Sequence, residues 1–273
     1  MIQHLEQMIE TPQPIPVRIA KMSETISIQT QDRVTTLTIS RPSKRNAITQ
    51  EMYGEMAAAL QDYASSDAQR AFVITGAEDY FTAGNDLKDF STASHSGDLP
   101  PVALFLNAIS QCPKPVIAAV NGPAIGIGLT MLLHCDLVYA AESATFTAPF
   151  VKLGLVPEAA SSLLLSASVG MAVANDVLLA GRSLSAEDAH NYGLIARVFP
   201  DADLAAEVAA IAAHVANSAP QAMRLSKSLI RANREEVALQ MAKEADHFVA
   251  QLKSPEFAEV VAALVQKRQP SFT

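Results

Sequence analysis

The 273-residue sequence has no tryptophan and only two cysteines, Cys112 and Cys135. Two thiols in this spacing build neither a disulfide framework nor a metal cluster, so a reducing compartment is the expectation. Charged residues are scarce at 18%, and acids outnumber Lys and Arg to leave a formal net charge of -8. That balance lacks the basic footprint of a nucleic-acid binder, although a local cluster of Lys and Arg still suits a polyanionic ligand. Long apolar runs are missing as well. The most apolar stretch, Pro115 to Leu133, is interrupted by Asn121, Gly122, Pro123 and two further glycines, which argues against a membrane helix. The N-terminus has no charged start leading into an apolar core, as a signal peptide requires. These absences predict a cytoplasmic protein with no metal site, no nucleic-acid partner and no membrane partner.

Hydrophobic residues at 49% give enough material for one large core or a core with an appendage. Residues 1–22, with Pro12, Pro14 and Pro16, read as an N-terminal extension, 23–203 as the core and 204–273 as a helical C-terminal region. Thr25 to Gln29 and Val34 to Ser40 have strand character, joined by a turn at Gln31-Asp32. Thr49 is placed to cap a helix from Glu51 to Ser65, where Met52, Met56 and Leu60 recur every four residues. Strands at Ala71 to Thr75, Val116 to Val120 and Leu137 to Ala141 alternate with helices at Val102 to Ser110 and from Gly128 through His134, the pattern of an α/β core. After Pro157 the pattern turns helical: Ala159 to Val169, Met171 to Ala180, Ala186 to Tyr192, Leu204 to Asn217, Gln221 to Arg231, Val237 to Lys253 and Pro255 to Lys267.

Three segments carry chemistry. In Ala83-Gly84-Asn85-Asp86-Leu87, a glycine after a strand suits either an ordinary turn into a helix or a nest of outward-pointing amides. In Gly126-Ile127-Gly128, glycines flank a residue at a helix start, where the amide can approach an anion; a tight packing turn is the competing reading. In Val156-Pro157-Glu158, the acid is the only one between Glu142 and Asp176. Beside a proline and before a helix it can serve the macrodipole alone, yet burial in such an apolar run would raise its pKa as a general base requires. His134 reads as a packed residue, and Ser161-Ser162 lacks a nucleophile-elbow context.

Taken together, Arg41-Pro42 with Asn46-Ala47, Ala83-Gly84-Asn85-Asp86-Leu87, Lys114 to Gly122, Cys135-Asp136 and Ala189 with Gly193-Leu194 resemble the crotonase, or enoyl-CoA hydratase/isomerase, superfamily. The resemblance implies an α/β fold, a spiral of ββα units with a helical C-terminal region that assembles as a homotrimer or a dimer of trimers. It implies an acyl-CoA thioester substrate, with CoA as part of that substrate and no separate cofactor, and a place in fatty acid metabolism. An oxyanion hole would be formed by the amides of Asn85 and Ile127. Gly84, Asp86, Leu87 and Gly126 would lie along the substrate, and Ala83 would offer its carbonyl to the adenine. Lys44 or Arg45 would meet the CoA phosphates, with Lys267 reaching them from the C-terminal helix.

The departures from the family pattern decide the chemistry. Where hydratases of this superfamily carry two glutamates that position water, this sequence has Thr130 and Phe150. Neither is a carboxylate base, which argues against hydration. Glu158 matches the single acid of the peroxisomal-type Δ3,Δ2-enoyl-CoA isomerases. The resemblance therefore implies an enoyl-CoA delta-isomerase in which Glu158 moves a proton between C2 and C4. Two other readings stand beside it: a hydrolase-like relative with Glu158 as nucleophile, and an acyl-CoA-binding module without turnover.

Overall fold

The computed structural model describes residues 18–20, 24–86 and 100–272, the first three by backbone alone. The chain begins with β1 (Arg18–Ala20), β2 (Ile26–Gln31), β3 (Val34–Ile39), α1 (Gln50–Ser65), β4 (Ala71–Gly76), α2 (Pro101–Gln111) and β5 (Val116–Val120). It continues through β6 (Ala124–Ile125), α3 (Ile127–Thr130), β7 (Leu137–Ala141), β8 (Thr145–Thr147), α4 (Ser161–Leu178), β9 (Leu184–Ser185), α5 (Ala186–Asn191) and β10 (Arg197–Phe199). Four helices close it: α6 (Leu204–Asn217), α7 (Pro220–Ile230), α8 (Arg234–Leu252) and α9 (Pro255–Gln266).

Seven strands form one sheet in the order β1-β2-β3-β4-β5-β7-β10, antiparallel up to β3 and parallel beyond it. Its parallel strands are covered on both faces, as the absence of a polar stripe in Ala71–Gly76 and Val116–Val120 requires. Phe72, Ile74, Val116, Ala118 and Val120 join the main core with Tyr53, Met56 and Leu60 of α1. The alternate residues Ala71, Val73, Ile117, Ala119 and Tyr139 pack instead with Leu204, Val208 and Ala212 of α6. A smaller sheet has the order β6-β8-β9, with β6 and β8 parallel and β8 and β9 antiparallel. The α/β architecture expected from the sequence is thus present, with helices concentrated after Pro157.

Several local expectations hold. Thr49 caps α1, its hydroxyl accepting from the Met52 amide at 3.3 Å. Others shift. The hairpin turn falls at Asp32-Arg33, both left-handed (φ 47 and 70), one residue later than expected and in the sense that twisted hairpins favour. The helix expected through His134 is α3 followed by a 3-10 turn, Met131–His134. The two helices expected on either side of Gly170 run on as α4, broken by that residue's non-helical backbone (φ 77, ψ 157). By length and composition α4 is apolar enough to cross a membrane, but here Leu164, Leu165 and Val177 are buried in the main core. Strands β1, β6, β8, β9 and β10 were not anticipated, because two or three residues are too few to display a period of two.

Candidate active site

A pocket partly open to solvent lies between the loops after β4 and β6 on one side and α8 and α9 on the other. Ala83, Gly84, Asn85, Gly126 and Ile127 form one wall. Facing them are Phe150, Leu155, Phe248 and Phe257, with Glu158 among these apolar side chains. Seven of the predicted site residues (Ala83, Gly84, Asn85, Gly126, Ile127, Phe150 and Glu158) are therefore brought to one cavity.

The first wall is held by a set of hydrogen bonds rather than by side chains reaching inward. The Asn46 amide group donates to Ala77 O and Tyr80 O, and its Oδ1 accepts from the Arg41 amide. Thr82 donates its hydroxyl to Asn46 O at 2.7 Å and accepts from the Gly84 amide at 3.0 Å. The neighbouring amides are used as well: Ala83 donates to Arg45 O and Asp86 to Ile48 O, while Gly84 O accepts from Ile48. Asn85 N–H is left with no acceptor among the described residues. Gly84 is needed here: its φ is +92, and a Cβ would stand 2.9 Å from the Ile125 carbonyl oxygen.

The second amide arises differently. Thr82 and Ile125 exchange backbone bonds across to Pro123 and Thr82 respectively, which sews the two loops together. Gly126, with φ +59, donates to Thr147 O and turns the chain so that Ile127 opens α3. An amide in the first helical turn has no intrahelical acceptor, and none of the described residues accepts from Ile127. Two unengaged backbone N–H groups thus line one pocket, where an oxyanion can be bound.

Glu158 is 7% exposed, and its Oε1 has no hydrogen-bond partner among the described residues. Burial, and secondarily the charge of Glu244, raise its pKa to about 7. The turn that presents it is left-handed at two L-residues, Ala159 (φ 61) and Ala160 (φ 55), a conformation that packing must hold in place. His134 supplies one clamp. Its Nε2 lies 2.8 Å from Ala159 O, and because a carbonyl only accepts, that nitrogen carries the proton. Burial lowers the His134 pKa to about 4, so the ring is neutral near pH 7. The packed role expected of His134 is the one it has.

The remaining predicted residues divide. Lys44 and Arg45 are exposed beside the Ala83 loop, with the Arg45 guanidinium 5.5 Å from the Tyr80 ring centre. Asp86 does not line the pocket; its carboxylate meets Arg41 at 2.7 Å and braces the loop. Thr130 is fully buried behind Ile127, its hydroxyl without a partner among the described residues. Lys267 ends α9 exposed and is not a lining residue. Leu87 lies outside the described residues. Among the described residues no cluster of three or more His, Cys, Asp or Glu is placed to hold a metal.

Two further polar residues near the pocket have no role assigned from the sequence. Tyr53, on α1, donates its hydroxyl to Asn85 Oδ1, a contact between residues 32 apart that no local pattern marks. Glu244 is buried at 5% exposure on α8. A signal did exist for it: Val237, Met241, Glu244 and Phe248 fall on one helical stripe, and an acid in an apolar stripe is anomalous.

Residues 29–273 match the family described as enoyl-CoA hydratase/isomerase. The chain is 41% identical over 223 residues to enoyl-CoA delta isomerase 2 of Rattus norvegicus, covering 80% of this chain and 57% of that protein. It therefore spans little more than half the length of that relative. It is 36% identical over 258 residues to 2,3-dehydroadipyl-CoA hydratase of Escherichia coli K12, covering 92% of this chain and 99% of that protein. Among solved structures, an enoyl-CoA hydratase/isomerase from Pseudoalteromonas atlantica T6c is similar with a TM-score of 0.88 at 52% identity, over 91% of this chain and 100% of that one. With the paired amides, the buried acid and the matching fold on one chain, this protein belongs to the enoyl-CoA hydratase/isomerase family, the crotonase superfamily of acyl-CoA enzymes.

Proposed function

We propose that this enzyme moves the double bond of an enoyl-CoA from C3 to C2. The observation that carries the reading is the environment of Glu158: among the described residues it is the one carboxylate lining the pocket, set among Phe150, Leu155, Phe248 and Phe257, with Oε1 lacking a partner. With the thioester oxygen on the amides of Asn85 and Ile127, the Glu158 carboxylate takes a proton from C2. The C2–H electron pair enters a dienolate, and negative charge collects on the thioester oxygen, where the two N–H groups stabilise it. Glu158, now a carboxylic acid, delivers the same proton to C4, and the charge returns to form the C2–C3 double bond. Atoms balance without added water or redox partner, so no cofactor is needed.

A base with a pKa of about 7 both accepts and returns a proton near neutrality with little bias either way. Thr130 and Phe150 support this reading over hydration, since a hydroxyl and a phenyl ring supply no second base to split water. The hydratase relative of similar identity makes that distinction worth testing. Lys44 or Arg45 on the rim would meet CoA phosphates, with Ala83 O turned to the adenine. The exposed Leu225, Leu229, Ile230, Leu264 and Val265 of α7 and α9 are suited to contacts between copies in a homotrimer or a dimer of trimers.

The test supplies purified protein with a 3-enoyl-CoA and follows the absorbance of the conjugated 2-enoyl thioester. Turnover by wild type and its loss in Glu158→Gln support the isomerase. Binding without turnover favours a binding module, CoA release favours hydrolysis, and 3-hydroxyacyl-CoA made from a 2-enoyl-CoA would favour hydration.

A further inference from the structure

The pocket has a second buried carboxylate behind it that the proposed mechanism does not use. Glu244 Oε1 accepts from the Ser162 amide at 3.1 Å and from the Ser162 hydroxyl, while Gln240 Nε2 donates to Ser162 Oγ at 2.8 Å. Ser162 lies in the first turn of α4, where backbone N–H groups lack intrahelical acceptors and the helix dipole favours negative charge. Glu244 therefore caps α4 from another helix. That anchoring uses one oxygen only: Oε2 is buried and has no partner among the described residues.

Glu244 and Glu158 are joined through a short path. The Glu158 carbonyl accepts from the Ser161 amide at 3.0 Å, and the next amide, that of Ser162, goes to Glu244. One turn beyond Glu244 on α8, Phe248 lines the pocket together with Glu158. A surplus charge in this apolar interior is costly unless it has a purpose, since a Met or Leu would fill the same stripe.

We propose that Glu244 is a positioning residue of this site, a negative charge fixed beside Glu158 by Ser162 and Gln240 that sets how readily Glu158 takes up and returns a proton. The inference rests on the reading of Glu158 as the proton carrier. The two acids have opposite surroundings: donors and a helix N-terminus around Glu244, apolar side chains around Glu158. Two carboxylates in opposite surroundings can take different roles in one site. The raised pKa of Glu158, with Glu244 as its second cause after burial, agrees with this geometry.

Among the described residues, the other ionisable groups on the elements around the pair are neutral, exposed or engaged elsewhere. Tyr53 faces it from α1 as a buried phenol whose pKa is raised well above the usual value, first by burial and then by Glu158. His134 is neutral, and Arg231, which caps the C-terminus of α7, is directed to the carbonyls of Leu133 and Cys135. On α8, Lys243, Asp246 and His247 are exposed; on α9, Glu256 is exposed and Glu259 is paired with Arg268. Lys152, exposed in the turn before Glu158, donates to Gly181 O. Among the described residues, Glu244 is the carboxylate placed to act on Glu158.

The deciding measurement is an infrared difference titration of the Glu158 carboxyl band, wild type minus Glu158→Gln, which needs no substrate. Replacing Glu244 by Gln keeps an acceptor for Ser162 and removes the charge. The Glu158 midpoint then moves to lower pH, by a few tenths to about one unit because burial is the larger cause, and the acid limb of kcat/KM moves with it. An unchanged midpoint in folded E244Q overturns the proposal, since loss of a merely structural bond lowers stability without moving a titration. Should E244Q not fold, Gln240→Glu at the half-buried neighbouring position decides: a higher midpoint supports the proposal, and an unchanged or lower one overturns it. If the midpoints move but wild type does not isomerise 3-enoyl-CoA, the electrostatic inference stands and the isomerase reading fails.

Discussion

The two walls of the pocket are built on different principles. In the proposed reaction the wall around Asn85 and Ile127 acts through peptide N–H groups, which every residue but proline carries, so that role depends on backbone path rather than side-chain identity. The wall of Phe150, Leu155, Glu158, Phe248 and Phe257 acts through side chains, and one substitution there changes what the pocket can do. The contrast explains how one scaffold serves several acyl-CoA reactions. An enolate needs the same oxyanion hole in each, while the fate of the proton is set by what stands opposite.

The comparison can be broken most directly at Glu158. Replacing it with Gln leaves the backbone wall intact and removes the carboxylate that lines the pocket among the described residues, so kcat for 3-enoyl-CoA isomerisation should fall by about 10²–10⁴-fold. A smaller loss in steady-state assays would move the base elsewhere. On the opposite wall, Gly84→Ala should lower kcat by about 10²–10³-fold through displacement of the Asn85 amide, because its Cβ meets Ile125 O at 2.9 Å. Ile127→Gly, which keeps the N–H, should cost far less. Equal losses from these two variants would contradict a hole made of backbone amides.

Burial of the base has a stability consequence whose sign is opposite to that of a salt-bridged acid. The folded protein holds the Glu158 proton more tightly (pKa about 7) than the unfolded chain does near the ordinary value of 4.5. Between those values the folded state binds more protons, so stability falls as pH rises from about 4.5 to 7 and then levels off. Glu158→Gln removes that loss. In denaturant titrations the variant should gain on wild type by up to about 3 kcal/mol at pH 8, an advantage that vanishes below about pH 4.5. The smallest effect is expected at the seam between the walls. Tyr53→Phe deletes the hydroxyl that holds Asn85 Oδ1, which should cost about 1 kcal/mol in unfolding free energy and a few-fold in kcat.

Legibility in the sequence followed the same division. Strands such as Val116–Val120, helices such as α1 and the Gly84 and Gly126 turns were readable because periodicity, caps and glycines are local signals. Glu158 stood out because no other acid occurs between Glu142 and Asp176. Strands β6, β8 and β9 were not readable, since their pairing partners rather than their composition define them. The substrate-lining role expected of Asp86 ran into a partner 45 residues away, Arg41, that occupies its carboxylate.

By itself, then, the sequence determined the α/β plan, the two amide loops and a lone acid before a helix, because each is written in consecutive residues. Only the tertiary structure decided that Asn85, Ile127 and Glu158 share one cavity, that the acid is desolvated enough to titrate near pH 7, and that Glu244 stands behind it. Desolvation and Coulomb interaction depend on distance through space, and residues 158 and 244 become neighbours only when α8 packs against the start of α4.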